Sequence, residues 1–314
     1  AREQPFDFFG FGLISLFIGA LQLMLDRGHS LNWFQSLEII IEATVAGLCL
    51  YLFTVHMFTA KHPFIEARLF KDRNLLAGFL LVALTQVVMM GQMALLPNYL
   101  QQLMHVPVDT TGYLLMPRGI ASILGMAITA PLIGRIDSRY LMMFGLVLLG
   151  LSMYDMSRIN LNVSNQTIIL IGLQQGFGMS FLSAPLTTAV FATLNPALRA
   201  EGASMYSLMR NMGGSIGISL FFTRIAQETQ INHQRLGENI TAFTESLPSV
   251  WNWNTTAGAM TLNSEITRQA ANIAYLDVYL VMAVCLLAVV PLCLLFKNPT
   301  PRPATVAEPI AADH

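Results

Sequence analysis

Residues 75–99 read LLAGFLLVALTQVVMMGQMALLPNY, twenty-five positions without a charged side chain. A helix needs about 20 apolar residues to cross the hydrocarbon core of a bilayer. In lipid every backbone N–H and C=O must find a partner inside the protein, so only helices and closed barrels can cross. A barrel strand would be about ten residues long and would alternate apolar with polar side chains. This stretch is far longer and does not alternate, so it reads as one membrane-spanning helix.

The same grammar runs along the chain in both directions. Charge-free stretches predict spans at Phe8–Leu25, Leu37–Thr59, Leu75–Tyr99, Gly112–Ile133, Tyr140–Met156, within Ile159–Leu198, at Ala203–Phe222 and at Ala271–Phe296. The expected fold is therefore all-α integral membrane, with about eight transmembrane helices. Composition agrees: of 314 residues 54% are hydrophobic and only 11% are charged, against about 25% charged in a soluble protein. The formal charge of −1 leaves no surplus of Lys and Arg to neutralise phosphates, which excludes nucleic acid as a partner. Cys49, Cys285 and Cys293 all lie in apolar stretches and read as buried thiols, and no metal-ligand spacing occurs.

Charge sets the expected sidedness. If the chain starts in the cytoplasm, the inside segments hold Arg2, Lys61, Arg68, Lys71, Arg73, Arg135, Arg139, Arg199, Lys297 and Arg302. The outside segments hold only Arg27, Arg158, Arg224, Arg235 and Arg268. The positive-inside rule then predicts that both ends of this segment are cytoplasmic. Residues 1–7 read as a loop. Residues 224–270 form the one extended hydrophilic stretch, read either as a solvated, half-helical connector or as a docking surface on the outer side. Trp33, Trp251 and Trp253 fall on that side, as do sequons at Asn162, Asn165, Asn239 and Asn254. The Pro-rich tail, 298–314, reads as disordered and cytoplasmic.

Two arginines lie inside predicted spans, Arg118 and Arg210. A charge in the bilayer costs roughly 3 kcal/mol on insertion scales, so such residues face a cavity or a buried partner. Each reads as a contact for an anion, a substrate or a carboxylate, or else as a structural or snorkelling residue. Glu42, Asp155 and Asp277 read either as proton-relay groups or, lying near predicted interfaces, as carboxylates that water solvates. Gln86, Gln92, Gln174 and Gln175 carry amides into the membrane, where they line a cavity or bond between helices. Gly172, Gly176, Gly213, Gly214 and Gly217 supply small-residue spacing for close helix packing. Met89, Met90 and Met93 cluster in the third span, as flexible lining or as core. No Walker loop, nucleophile elbow or zinc motif is present, so no catalytic residues are assigned.

An ordered set of motifs resembles one family. Leu25-Asp26-Arg27-Gly28 with Asn32-Trp33-Phe34, then Leu69-Phe70-Lys71-Asp72-Arg73-Asn74, Leu115-Met116-Pro117-Arg118-Gly119 and Pro131-Leu132-Ile133-Gly134-Arg135 occur in sequence. Gln175-Gly176-Phe177-Gly178 with Ala184-Pro185-Leu186, and Arg210-Asn211 with Gly213-Gly214-Ser215 and Gly217, complete it. Together they resemble the EmrB/QacA-type drug:proton antiporters, the fourteen-span branch of the major facilitator superfamily. One stretch departs: the family's loop of Gly-Arg, Asp-Arg and a further Arg is compressed here to Gly134-Arg135-Ile136-Asp137-Ser138-Arg139.

The resemblance implies that residues 1–74 hold the family's two extra linker helices and a cytoplasmic loop. Residues 75–297 would be the six-helix C-terminal half of a major facilitator fold, built from two inverted repeats. The third, fourth, sixth and seventh spans would face a central path, making Arg118, Arg210, Asn211, Gln86, Gln92, Gln174 and Gln175 path residues. Gly134, Arg135, Asp137, Arg139, Gly176, Gly178, Gly213, Gly214 and Gly217 would serve packing or gating. The implied function is export of apolar drugs or toxic amphiphiles across a bacterial-type inner membrane, driven by a proton gradient and needing no cofactor. The implied partners are an N-terminal six-helix half, membrane lipid, and a periplasmic adaptor with an outer-membrane channel. The alternative is a non-transporting or half-sized membrane protein that works only with a partner half.

Overall fold

The computed structural model describes residues 7–28, 31, 33–60, 67–238 and 255–296. Eight long helices follow in order: α1 (Phe8–Gly28), α2 (Leu37–Thr59), α3 (Arg73–Asn98), α4 (Val108–Leu132), α5 (Ser138–Met156), α6 (Asn165–Phe191), α7 (Arg199–Glu238) and α8 (Thr256–Val289). No strand occurs among the described residues. Several helices begin where the sequence supplies a side-chain acceptor for the first free N–H groups. Asp72 accepts from Leu75 N, Ser164 from Thr167 N and Thr255 from Gly258 N.

Six of the eight are long and apolar enough to cross a membrane on their own. The other two, α5 and α7, fall short of the eight expected spans for visible reasons. Arg139 and Asp155 sit in the terminal turns of α5. The seventh helix carries Arg210 and continues into a polar extension. Both nonetheless pack within the bundle, α5 on α6 and α8, α7 on α3 and α8. The chain is a multi-pass membrane protein.

The near end of the bundle is taken as the one where α1, α3, α5 and α7 begin, and the far end as its opposite. The most extensive helix contacts are α4 on α6 and α3 on α7. These two packings exchange when α3, α4 and α5 are mapped onto α6, α7 and α8, as two repeats would require. Glycine makes both possible. A Cβ at Gly176 would fall on the Arg118 carbonyl, and one at Gly217 on the Val87 carbonyl. By contrast, α1 and α2 form a hairpin that touches the bundle through α1 on α7. Most of their apolar side chains, including Leu16, Leu48 and Tyr51, stay exposed, as on helices facing lipid.

The hydrophilic stretch at 224–270 is largely helical where it is described. The seventh helix runs on to Glu238 and α8 begins at Thr256. His233 Nε2 and Asn263 Oδ1 meet at 3.0 Å across the pair. Residues 1–6, Trp251, Trp253, Asn239, Asn254 and the tail at 298–314 lie outside the described residues.

Candidate functional site

Two cavities open on the face formed by α3, α4, α6 and α7. The first, about 390 Å³, is lined by Met93, Leu96, Pro97, Leu115, Arg118, Gly119, Ser122, Gly176 and Met179. The second, about 300 Å³ and closer to the near end, is lined by Gln86, Thr85, Met89, Ser122, Met179, Ser183, Thr187, Tyr206 and Arg210 among others. Ser122 and Met179 line both, so the cavities adjoin. Each holds one arginine.

Arg118 is deeper than the sequence reading placed it. The fourth helix begins at Val108, so Arg118 lies ten residues in, about 15 Å along the axis. It does not snorkel out. Its Nη1 donates to Gln92 Oε1 at 2.8 Å, and Gln92 Nε2 donates to Gln175 Oε1 at 3.0 Å. Gln92 and Gln175 are fully buried. The contact of Gly176 with the Arg118 backbone brings α6 close enough for Gln175 to reach Gln92. Just beside it, Ser180 Oγ donates to the Ser122 carbonyl at 2.6 Å.

Behind this relay lies a tyrosine cluster that the sequence reading missed. Tyr99 Oη donates to Asn272 Oδ1 at 2.9 Å, and the Tyr99 and Tyr275 rings lie 5.4 Å apart. Tyr279 is fully buried and its hydroxyl has no hydrogen-bond partner among the described residues. It lies within electrostatic range of Arg118, Tyr275 and Tyr99. The signal was present in the sequence, since Asn272, Tyr275 and Tyr279 recur at helical spacing on one face of α8.

Arg210 is placed differently. It is exposed to the second cavity and makes no hydrogen bond or ion pair with the described residues. Gln86, buried, shares that cavity and likewise makes no hydrogen bond there. Asn211 is exposed and lines neither cavity. Gln174 points the other way: its Nε2 donates to the Leu148 carbonyl of α5 at 3.3 Å, and it lines a separate depression at the far end with Asp155 and Arg158. One residue's rotation of about 100° per step puts neighbouring glutamines on different faces.

The remaining predicted residues are structural neighbours of this face. Gly213 lies against the Ala83 carbonyl, Gly214 against Met90, and Gly178 against Leu149. Gly134 takes φ +91°, a conformation that favours glycine, and so turns the chain from α4 into α5. Asp137 caps α5 through Arg139 N at 3.0 Å and lies 4.0 Å from Arg139 Nε, while Arg135 is exposed. Asp277 is exposed. Among the described residues no cluster of His, Cys, Asp and Glu has the arrangement to hold a metal.

The model of the Major Facilitator Superfamily matches residues 6–218. The chain belongs to the major facilitator superfamily. This is a family of transporters rather than enzymes. Among curated relatives, this facilitator is 30% identical to the fatty acid resistance protein FarB of Neisseria gonorrhoeae, over 95% of this chain and 60% of that protein. It is 32% identical to the multidrug export protein EmrB of Haemophilus influenzae, over 77% and 48%. It is 30% identical to the probable multidrug resistance protein EmrY of Escherichia coli, over 92% and 58%. It therefore resembles EmrB-type facilitators along most of its length, and spans about half to three fifths of theirs. A bacterial homologue of the human lysosomal transporter Spinster, solved in an inward-facing, occupied conformation, shares the fold. The TM-score is 0.56 at 14% identity, over 84% of this chain and 59% of that one.

Proposed function

We propose that this facilitator is the C-terminal part of a proton-driven efflux transporter that exports apolar or amphiphilic small molecules across a bacterial inner membrane. The observation that carries the reading is the shared face of α3, α4, α6 and α7, where two adjoining cavities each hold an intramembrane arginine. An N-terminal six-helix half would close that face into a path. The proton carrier would sit in that half, because the two cavities contain no carboxylate. Both ends of the segment would be cytoplasmic, with the far end outward. The helical extensions of α7 and α8 would then be the contact for a periplasmic adaptor, in line with an outer-membrane channel. No cofactor is required in this reading.

The test is Arg210→Ala in the full-length transporter. Efflux should fall at least about tenfold, the loss of one charged contact, with membrane abundance unchanged. Unchanged efflux removes Arg210 from the path. Lost abundance makes it a structural residue instead.

A further inference from the structure

We propose that the groove at the far end, between the end of α5 and the start of α6, is a phospholipid site that takes a zwitterionic headgroup bearing a primary amine. The site stands apart from the proposed path. Gln174 lines the groove and Gly176 lines the first cavity. Two residues turn an α-helix by about 200°, so the groove lies on the side of α6 that faces away from both cavities.

The mouth of the groove carries both signs of charge. Asp155 sits in the last turn of α5 and Arg158 in the turn that follows, and both are exposed where they line the groove. Neither takes part in an ion pair among the described residues, although they are three positions apart. Arg158 instead lies over the exposed Tyr154 ring, 5.6 Å from its centre. A tyrosine at the end of a spanning helix marks the headgroup depth of the bilayer. An anion alone would meet Asp155 there, and a cation alone would meet Arg158. A ligand with a phosphodiester and an ammonium satisfies both, Arg158 donating to the phosphate and Asp155 accepting from the amine. A primary ammonium has N–H groups to donate to that carboxylate, whereas a trimethylated one has none.

The rest of the lining fits the same ligand. Ser164 Oγ and Thr167 Oγ1 lie 3.0 Å apart and share one hydrogen bond, so one of their two hydroxyl hydrogens is left to donate. They stand at the start of α6, whose positive dipole end also favours phosphate. From Ser164 the groove, about 600 Å³ in volume, follows α6 down to Gln174. That is ten residues, or about 15 Å of helix. Ile159, Val163, Leu170 and Ile171 give it an apolar wall, and Leu170 is 64% exposed. The bond from Gln174 Nε2 to the Leu148 carbonyl closes its floor. A doubly charged mouth above an apolar wall, at the membrane interface, matches a headgroup above an acyl chain.

The experiment uses the full-length protein in detergent, with native mass spectrometry to read the lipid bound on titration. Its probes are phosphatidylethanolamine, phosphatidylcholine and phosphatidylglycerol with the same acyl chains, and soluble glycerophosphoethanolamine. Affinities are measured for wild type, Asp155→Asn and Arg158→Gln, with thermal melting of each. Both side chains are exposed, so both variants should melt with wild type. Wild type should bind the ethanolamine lipid about tenfold more tightly than the other two, the effect of one charged hydrogen bond at a part-solvated site. Asp155→Asn should bring the ethanolamine lipid down to the level of the choline lipid and leave the choline lipid unchanged. Arg158→Gln should weaken all three lipids by about tenfold. A wild type with no ethanolamine preference overturns the proposal. So does a preference that Asp155→Asn leaves intact, or an Arg158→Gln that binds all three lipids as wild type does. Either variant decides the matter if the other melts low. Soluble headgroup that binds as tightly as the lipid overturns the membrane source and leaves a site for a free phosphoester.

Discussion

Arg118 and Arg210 lie ten and eleven residues after the starts of α4 and α7, two helices that run in opposite directions. The protein treats them in opposite ways. Arg118 is clamped by a two-glutamine relay fixed between α3 and α6. Arg210 stands in a cavity beside a buried glutamine that makes no hydrogen bond with the described residues. Both charges carry a similar insertion cost of roughly 3 kcal/mol. In the first the protein offsets part of that cost itself and holds the guanidinium in one orientation. In the second the compensation is left to whatever the open face meets.

The largest effects should come from the helix contacts that set these two environments. A Cβ at position 176 falls on the Arg118 carbonyl, and one at 217 on the Val87 carbonyl. Backbone cannot swing aside, so Gly176→Val and Gly217→Val should each cost upwards of about 3 kcal/mol. The measurement is the monodisperse fraction and melting temperature in detergent. If one variant folds normally and the other does not, the two helix interfaces are unequal and the comparison breaks.

Next in size is the contrast between the glutamines. Gln92→Leu strands Arg118 without its amide acceptor and leaves Gln175 with both polar groups unpaired. It should destabilise by about 2–4 kcal/mol. Gln86→Leu removes a side chain that makes no hydrogen bond with the described residues, and should stay within about 1 kcal/mol. Equal losses would show that the second cavity is as tightly built as the first.

How much of this could be read from the sequence follows the same division. Membrane spans were legible because twenty-five uncharged residues leave a chain one option in lipid. The facing glycines of α7 were legible as a spacing. Arg118 and Arg210 were legible as charges out of place, although their different treatment was not. That difference depends on which residues α3 and α6 present to them, a matter of rotation and depth that linear spacing leaves open. Gln174 and Gln175 make the point: adjacent and identical, one bonds to α5 and the other closes the Arg118 relay. The start of α4 at Val108 rather than Gly112 moved Arg118 a full turn deeper, from a snorkelling position to a half-buried one. The helical extension past Phe222 was legible only as the half-helical reading of 224–270, because polar helix and polar loop share a composition.

A smaller effect separates the arginines themselves. Arg118→Ala leaves the Gln92 carbonyl buried and unpaired, about 1–3 kcal/mol. Arg210→Ala breaks no bond to the described residues and should shift stability by about 0.5 kcal/mol or less. Melting temperatures in one detergent give both values. A larger loss for Arg210→Ala would reveal a structural partner and reverse the contrast.

The smallest expected effect lies on α8, beyond the membrane-spanning part of the same helix that buries Tyr279. Arg268 donates through Nε and Nη2 to both carboxylate oxygens of Glu265, each at 2.9 Å, and Gln269 adds a third donor at 2.8 Å. Arg268 also reaches the Leu103 carbonyl at 3.4 Å, which ties the extension to the helical turn that follows α3. The Arg268 hydrogen bonds, with help from Gln269, hold the Glu265 carboxyl below its ordinary value of 4.5. The folded state therefore binds this proton less readily than the unfolded state. The pair's stabilisation is fully present above about pH 4.5 and is lost as pH falls through the lower folded value. Part of each side chain is in water, so the amount is under about 1 kcal/mol. Wild type should melt slightly above Glu265→Gln near neutral pH, and the gap should close in acid. A gap that persists in acid would mean that Glu265 acts by packing rather than by charge. No gap at any pH would mean that the Glu265–Arg268 pair adds nothing measurable to stability.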